Sequence, residues 1–366
     1  MEKTAFFAKH LRELRLERGM TQKRFGELLG FSEKTVSKWE CGAALPDVST
    51  LFRICECLKT DIDTLFSAEE VYFLGIDGGG TKTALLLTDK NGQTVRTLSV
   101  DGCNPVDIGI TRAKAVLRDA IYQICEGIRF PCVYTFAGIA GGTTANMKEE
   151  LAAFFESFRF ASFENGSDIT NIVSAGLGEE DGVTAVLGTG FCVFAQKDGV
   201  CHRTSGWGYL IDDGGSAYNL GRDALHAYFA AYDGSGEKTL LTEELDRLCP
   251  GGESALIRFA YGSPKKAIAA LAPAVSTAIL RGDPIAQKIL ERNMRVAADI
   301  IRCSAKPLGE KRIPVILAGG MTADTLVMEA LRKELEPFTH LDIQRLNTTP
   351  VTGAVLLAQK LYGGKR

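Results

Sequence analysis

Two short turns carry the residue types that hold phosphate: Asp77-Gly78-Gly79-Gly80-Thr81-Lys82-Thr83 and Gly188-Thr189-Gly190. Backbone N–H groups bind phosphate oxygens well, and a Cβ at these positions would keep the backbone away. Thr81, Thr83 and Thr189 add hydroxyl donors. Asp77 is a candidate Mg²⁺ ligand, because hydrated Mg²⁺ commonly takes one or two carboxylates and keeps several waters. A Walker loop needs Gly-Lys followed by Ser or Thr, whereas here Thr81 follows Gly80. A dinucleotide fingerprint opens a helix, whereas residues 84–88 read as a strand. Either turn alone is equally an ordinary Gly-rich hairpin turn; its repetition in the same context is what favours phosphate.

The elements around the turns are also repeated. Apolar runs 71–76 and 183–187 precede the turns, and runs 84–88 and 191–195 follow them. Each second run ends at a hairpin signal, Asn91-Gly92 and Asp198-Gly199. Two such strand–turn–strand units facing each other would grip a polyphosphate from both sides. Between and beyond them, the pattern predicts a helix over 111–127, a strand over 133–137 and a helix over 146–157. A strand near 160–163, a largely helical stretch over 215–305, a strand over 313–318 and a final helix over 351–361 complete an α/β arrangement with ligand turns at strand ends.

The chain has 366 residues, 45% hydrophobic and 24% charged, with a net charge of −3, which is ordinary for a soluble globular protein and implies no general attraction to nucleic acid or membrane. The start has no signal-peptide core and no run is long enough to span a bilayer, so a cytoplasmic protein is expected. Ten scattered cysteines include no Cys-x-x-Cys, which favours reduced packing residues over disulfides or a metal knuckle. The four histidines show no paired spacing.

Residues 1–66 read differently, as short helices. Phe7, Leu11 and Leu14 form one apolar stripe, Phe25, Leu28 and Leu29 a second, and Leu51, Ile54, Cys55 and Leu58 a third. Thr21 is a candidate N-cap, and Gly30-Phe31-Ser32 makes a tight turn with Ser32 capping the next helix. Helix, glycine turn, helix is the helix-turn-helix pattern. Residues 9–39 hold eight Lys/Arg against four Glu, so any basic face is local, since the whole of 1–66 balances eleven basic against ten acidic residues. Residues 67–70 are the expected linker.

Both parts resemble known families. Leu11-Arg12-Glu13-Leu14-Arg15, Gly19-Met20-Thr21-Gln22, Ser32 to Glu40 and Pro46 are similar to the Cro-like (XRE-type) DNA-binding domain. That resemblance implies that Gln22, Lys23, Ser32, Lys34, Thr35, Ser37 and Lys38 face operator DNA, with a homodimer on a palindromic site. Residues 71–362 resemble the N-acetylglucosamine kinase branch of the BadF/BadG/BcrA/BcrD ATPase family. The motifs that carry it are Asp77 to Thr83, Gly102-Cys103-Asn104-Pro105, Ala137 to Gly141, Ser167-Asp168, Gly188-Thr189-Gly190, Gly206-Trp207-Gly208, Asp213 to Tyr218 and Leu317 to Gly320. The implied fold is an all-α helix-turn-helix domain followed by an α/β actin-like ATPase (sugar kinase/RNase H-like) fold with two lobes and a central cleft. Lobe I would comprise 71–180 with the C-terminal helix 350–366, and lobe II 181–349.

The resemblance also implies roles. Asp77, Gly79, Gly80, Thr81 and Lys82 would form the first phosphate loop and Gly188, Thr189 and Gly190 the second, with ATP and Mg²⁺ as cofactors. Gly319 and Gly320 would lie against the adenosine, and Asn104, Trp207 and Asp213 would line the sugar pocket. Asp168 would be the general base; its position opening a helix favours the ionised carboxylate. Two departures stand out: Phe191 replaces a usual Ser, and Gly214 replaces a usual Glu. They leave a second reading open, a transcriptional regulator whose kinase-like domain senses a sugar or nucleotide without turnover. An activator ATPase of 2-hydroxyacyl-CoA dehydratases fits less well, because Cys192 lacks a matching partner motif. The zinc-containing repressor/kinase family is disfavoured by the absence of its Cys-rich motif.

Overall fold

The computed structural model describes residues 2–66, 70–309 and 311–364. The expected linker lies outside them except for Glu70. The chain divides into two compact units, one of Met1–Tyr72 with Asp89–Gln93 and the other of Phe73–Thr88 with Thr94–Arg366.

The N-terminal unit has five helices: α1 (Glu2–Glu17), α2 (Gln22–Leu29), α3 (Glu33–Glu40), α4 (Val48–Leu58) and α5 (Ile62–Phe66). The expected caps form. Thr21 accepts from the Arg24 N–H at 3.1 Å, and Ser32 accepts from the Thr35 N–H at 3.2 Å. Gly30 ends α2 at φ +76, and Gly26 lets α2 approach the turn, since a Cβ there would sit 2.7 Å from the Phe31 carbonyl oxygen. Phe7, Leu11, Phe25, Leu29, Val36, Trp39, Ile54 and Leu58 make the core, whereas Leu28 of the expected stripe is exposed. A buried ion pair, Arg15 Nε to Glu40 Oε1 at 2.6 Å, joins α1 to α3.

The second unit contains two five-stranded sheets. The first holds β1 (Tyr72–Gly78), β2 (Lys82–Asp89), β3 (Thr94–Asp101), β4 (Val133–Ile139) and β5 (Ser162–Gly166), in the order β3-β2-β1-β4-β5. The second holds β6 (Gly182–Leu187), β7 (Phe191–Lys197), β8 (Val200–Arg203), β9 (Ile313–Ala318) and β10 (Leu341–Arg345), in the equivalent order β8-β7-β6-β9-β10. In both, an antiparallel hairpin adjoins parallel strands: β2 pairs antiparallel with β3 and β4 parallel with β5, while β6 pairs antiparallel with β7 and parallel with β9. The repeat visible in the two turns therefore extends over five strands.

Helices α6 (Pro105–Ile108), α7 (Ile110–Ile124), α8 (Met147–Glu156) and α9 (Asp168–Leu177) accompany the first sheet. Between β8 and β9 come α10 (Ala217–Asp233), α11 (Leu241–Leu248), α12 (Gly252–Gly262), α13 (Lys265–Ala269), α14 (Ala272–Leu280) and the long α15 (Pro284–Ala305). Helices α16 (Thr325–Leu335) and α17 (Pro350–Gly363) follow. The second sheet packs β6 and β7 against α15, in a core that buries Val183, Ala185, Leu187 and Val193 with Leu290, Met294 and Ile301 of α15 and Leu220 of α10. Each fully buried Leu or Ile contributes about 1.5–3 kcal/mol. Helix α17 returns to pack on β4 and α9, and Gly75 permits it, because a Cβ there would lie 2.7 Å from the Val351 carbonyl oxygen. Among the described residues no helix is long and apolar enough to cross a membrane.

Candidate functional site

The first turn is built by close backbone approach. The Gly79 N–H donates to the Lys82 carbonyl at 3.0 Å, and the Cys103 N–H donates to the Gly79 carbonyl at 3.1 Å. At Gly102 a Cβ would lie 2.5 Å from the Gly80 carbonyl oxygen, so no other residue fits. Asp77 stands at the end of β1. Its Oδ1 accepts from Asn171 Nδ2 at 2.8 Å, and the same amide group faces the Ile76 and Gly138 carbonyls at 3.2 and 3.3 Å. Burial pushes Asp77 up to about 6, against the Asn171 hydrogen bond and with the Asp168 charge adding to the rise; Lys82 opposes it.

Asp168 is the first residue of α9, one turn before Asn171, so one helix carries both groups toward β1. Ser167 is the N-cap and also donates to Asp168 Oδ1 at 3.1 Å. Burial holds the Asp168 carboxyl above its ordinary range, opposed by the Ser167 hydroxyl and the Ile169 N–H. The strand before it runs over Ser162–Gly166 rather than 160–163, which places Ser167 and Asp168 directly at its end.

The second turn is fixed by α10. The Ala217 N–H donates to the Gly188 carbonyl at 2.9 Å and the Tyr218 N–H to the Thr189 carbonyl at 3.3 Å. Two cavities meet at this turn. One, of about 440 Å³, is lined by Gly141, Ser167, Asp168, Gly188, Thr189 and Gly190, together with Arg203, Gly206, Asp212 and Lys265. The other, also of about 440 Å³, is bordered by Gly188 and Thr189 and walled by Leu220, Ala272, Pro273, Met321 and Val327, with Gly320 at its edge. Its polar groups include Ser276 and Asp324, bonded to each other at 2.5 Å. Gly319 has φ +97 and presses on the end of β6.

The structure distributes the remaining expected residues unevenly. Asn104 caps α6, accepting from the Val106 N–H at 3.0 Å and donating to Asp107 at 2.8 Å; it lies against Gly141 of the cleft. The Trp207 ring is 58% exposed and stacks on Arg203, with the guanidinium carbon 4.7 Å from the ring centroid. Asp213 is not among the cleft residues: Arg292 Nη2 donates to both its carboxylate oxygens at 3.0 Å, and Arg222 lies 3.6 Å away. Its neighbour Asp212 lines the cleft instead, accepting from the Trp207 and Gly208 N–H groups at 3.2 and 2.8 Å. At Gly214 a Cβ would sit 2.9 Å from Val296 of α15, so the missing Glu is also missing its space. Phe191 fills the room beneath Gly215 and is 2% exposed.

Among the described residues no three His, Cys, Asp or Glu side chains converge as a metal site. The one carboxylate at the first glycine turn, Asp77, still fits Mg²⁺, because that ion takes one or two carboxylates and completes its shell with other oxygens and water. Functional candidates that the sequence did not single out are Asn171, Asp212, Asp324 and the two lysines at the start of α13. In the N-terminal unit, Lys23, Ser32, Lys34, Ser37 and Lys38 are exposed and Thr35 is half-buried. Gln22 is drawn inward, donating to Glu40 Oε2 at 2.8 Å.

Known proteins share this architecture. The model of the BadF/BadG/BcrA/BcrD ATPase family matches residues 74–358, and a helix-turn-helix model matches residues 11–65. An N-acetyl-D-glucosamine kinase of Dictyostelium discoideum is 30% identical over 311 residues, covering 78% of this chain and 97% of that one. A solved structure from Chromobacterium violaceum, provisionally assigned as an N-acetylglucosamine kinase, matches with a TM-score of 0.65 at 25% identity, over 80% of this chain and 100% of that one. The HTH-type transcriptional activator BcrR of Enterococcus faecalis is 35% identical over 68 residues, 19% of this chain and 33% of that protein. The chain thus belongs to the BadF/BadG/BcrA/BcrD ATPase family, on an actin-like ATPase fold, with a helix-turn-helix domain preceding it.

Proposed function

We propose that the second unit is an ATP-dependent kinase of an amino sugar, N-acetylglucosamine or a close relative, with Asp168 as general base. One observation carries this reading: Asp168 shares its cleft with the Gly188–Gly190 turn, and that turn also borders a mostly apolar pocket of nucleoside size. A nucleotide spanning the two cavities would bring its terminal phosphate beside the carboxylate. The sugar hydroxyl oxygen then attacks that phosphorus, its proton passes to an Asp168 carboxylate oxygen, and the bond to the ADP oxygen breaks. Burial of Asp168 raises its basicity toward the operating pH, which favours such a role. Mg²⁺, held at Asp77, would neutralise phosphate charge. Asn104, Trp207 and Asp212, with Asp213 anchoring the loop, would shape the sugar side.

Residues 1–66 would read operator DNA as a dimer, through Lys23, Lys34, Thr35, Ser37 and Lys38, with the exposed lysines meeting phosphates. Gln22 contributes by fixing Glu40 and the α2–α3 angle. The alternative, a sensor without turnover, draws support from Asp213 being held by arginines and from the absence of room at Gly214.

Release of ADP over a panel of sugars led by N-acetylglucosamine decides between them. Sugar-dependent turnover that drops by about 10²–10⁴ in Asp168→Asn supports the kinase. Folded protein that binds sugar or nucleotide but releases no ADP with any sugar supports the sensor.

A further inference from the structure

Two consecutive lysines open α13 and line different cavities. Lys266 borders the nucleoside-sized pocket beside Gly188 and Thr189, while Lys265 borders the cleft that contains Asp168. Lys266 Nζ also donates to Thr81 Oγ1 at 2.9 Å, reaching from the second lobe to the first phosphate turn. Among the described residues neither lysine takes part in an ion pair. Lys266 therefore sits where both phosphate turns come together, with a neutral hydroxyl as its partner.

That placement is unfavourable for a purely structural role. An exposed ammonium gains little from a hydroxyl that water could replace, whereas a phosphate oxygen in the same position makes a charge-assisted hydrogen bond. The cleft needs such a cation. Asp168 and Asp212 line it, with Asp77 close enough to feel the Asp168 charge, and these carboxylates oppose the entry of a polyphosphate. The turns supply N–H groups and hydroxyls, and Lys82 supplies charge on the first turn alone. A lysine is suited to the remaining task, since its compact charge binds phosphate without demanding a bidentate geometry.

We propose that Lys266 is a polyphosphate-binding residue supplied by the second lobe, and that Lys265 contacts the phosphoryl group being transferred. The proposal rests on the kinase reading above. Thr81 holds the Lys266 ammonium, and a bound nucleotide would exchange that hydroxyl for its own phosphate oxygens. The same residue then joins the two lobes through the ligand rather than directly.

Isothermal titration of the full-length protein with Mg-ADP and with adenosine tests this. Lys266→Met keeps the aliphatic stem and removes the charge. We expect it to weaken ADP binding about 10- to 100-fold, with adenosine binding unchanged and Lys266→Arg recovering most of the loss. Lys265→Met should leave ADP affinity within about 3-fold and lower kcat instead, because its partner is the transferred group. Equal ADP affinity in wild type and Lys266→Met, with adenosine still bound, overturns the clamp while leaving the kinase reading intact. Wild-type protein that binds neither ATP nor ADP overturns both.

Discussion

Asp77 stores a destabilising charge, and Asp77→Asn should release it. Its carboxyl moves from an ordinary 3.8 to about 6 on folding, chiefly through burial. A raised folded pKa means that the native state holds the proton more tightly than the unfolded chain. The group therefore contributes most below the unfolded value, and that contribution disappears as pH rises from about 4 to about 6. A shift of roughly two units corresponds to about 3 kcal/mol lost by pH 7.5. An amide at position 77 keeps an acceptor for Asn171 Nδ2 and removes the repulsion with Asp168. Asp77→Asn should therefore be more stable than wild type at pH 7.5 by up to about 3 kcal/mol, on the order of 5 °C in Tm for a unit of this size, and nearly equal to it at pH 4. Thermal unfolding followed at both pH values, without Mg²⁺ or nucleotide, provides the comparison. A variant no more stable than wild type at pH 7.5, or one whose gain is the same at pH 4, would refute the assignment of the strain to this carboxylate. Mg-ADP should raise the Tm of wild type more than that of the variant, since a cation can offset only a charge that is present.

Three further outcomes follow from the packing. Glu40→Ala leaves the buried Arg15 guanidinium without its carboxylate and should cost the N-terminal unit about 3–5 kcal/mol, read as early loss of helical signal on heating while the second unit still unfolds at its own temperature. Gly214→Glu, which introduces the residue that the family resemblance implies at this position, should not raise turnover, because its Cβ would press on Val296; overpacking of about 1–3 kcal/mol should appear as a lowered Tm. Lys34→Ala should weaken DNA binding evenly across operator sequences and reduce the salt dependence by about one counterion, measured by fluorescence anisotropy at several salt concentrations; an unchanged slope would remove Lys34 from the interface.

The features legible in the sequence are those fixed by the backbone over short distances. The glycine turns, the caps at Thr21 and Ser32 and the hairpin signals depend on a few neighbouring residues, and all formed as expected. What stayed hidden depends on contacts between distant residues. Asn171 meets Asp77 across 94 positions, and Lys266 meets Thr81 across 185. Neither pairing leaves a local pattern. The Asp212-Asp213 pair shows the same limit at the finest scale: two identical neighbours differ in direction because Arg292, 79 residues later, takes one of them. Strand β10 was missed because it is an edge strand with only Leu341 buried, which weakens its apolar signal.

The position of α17 has a consequence for the order in which the chain can fold during synthesis. Every strand of both sheets is made before residues 350–363, yet this helix covers part of the first sheet, over β4 and β5, and locks against α9. The first lobe must therefore leave the ribosome with that surface bare and wait for the second lobe to be translated before its core is closed. The helix-turn-helix unit carries its own core and has no such dependence. A reader of DNA would thus be complete while the domain attached to it is still unfinished, and loss of α17 would expose the first lobe.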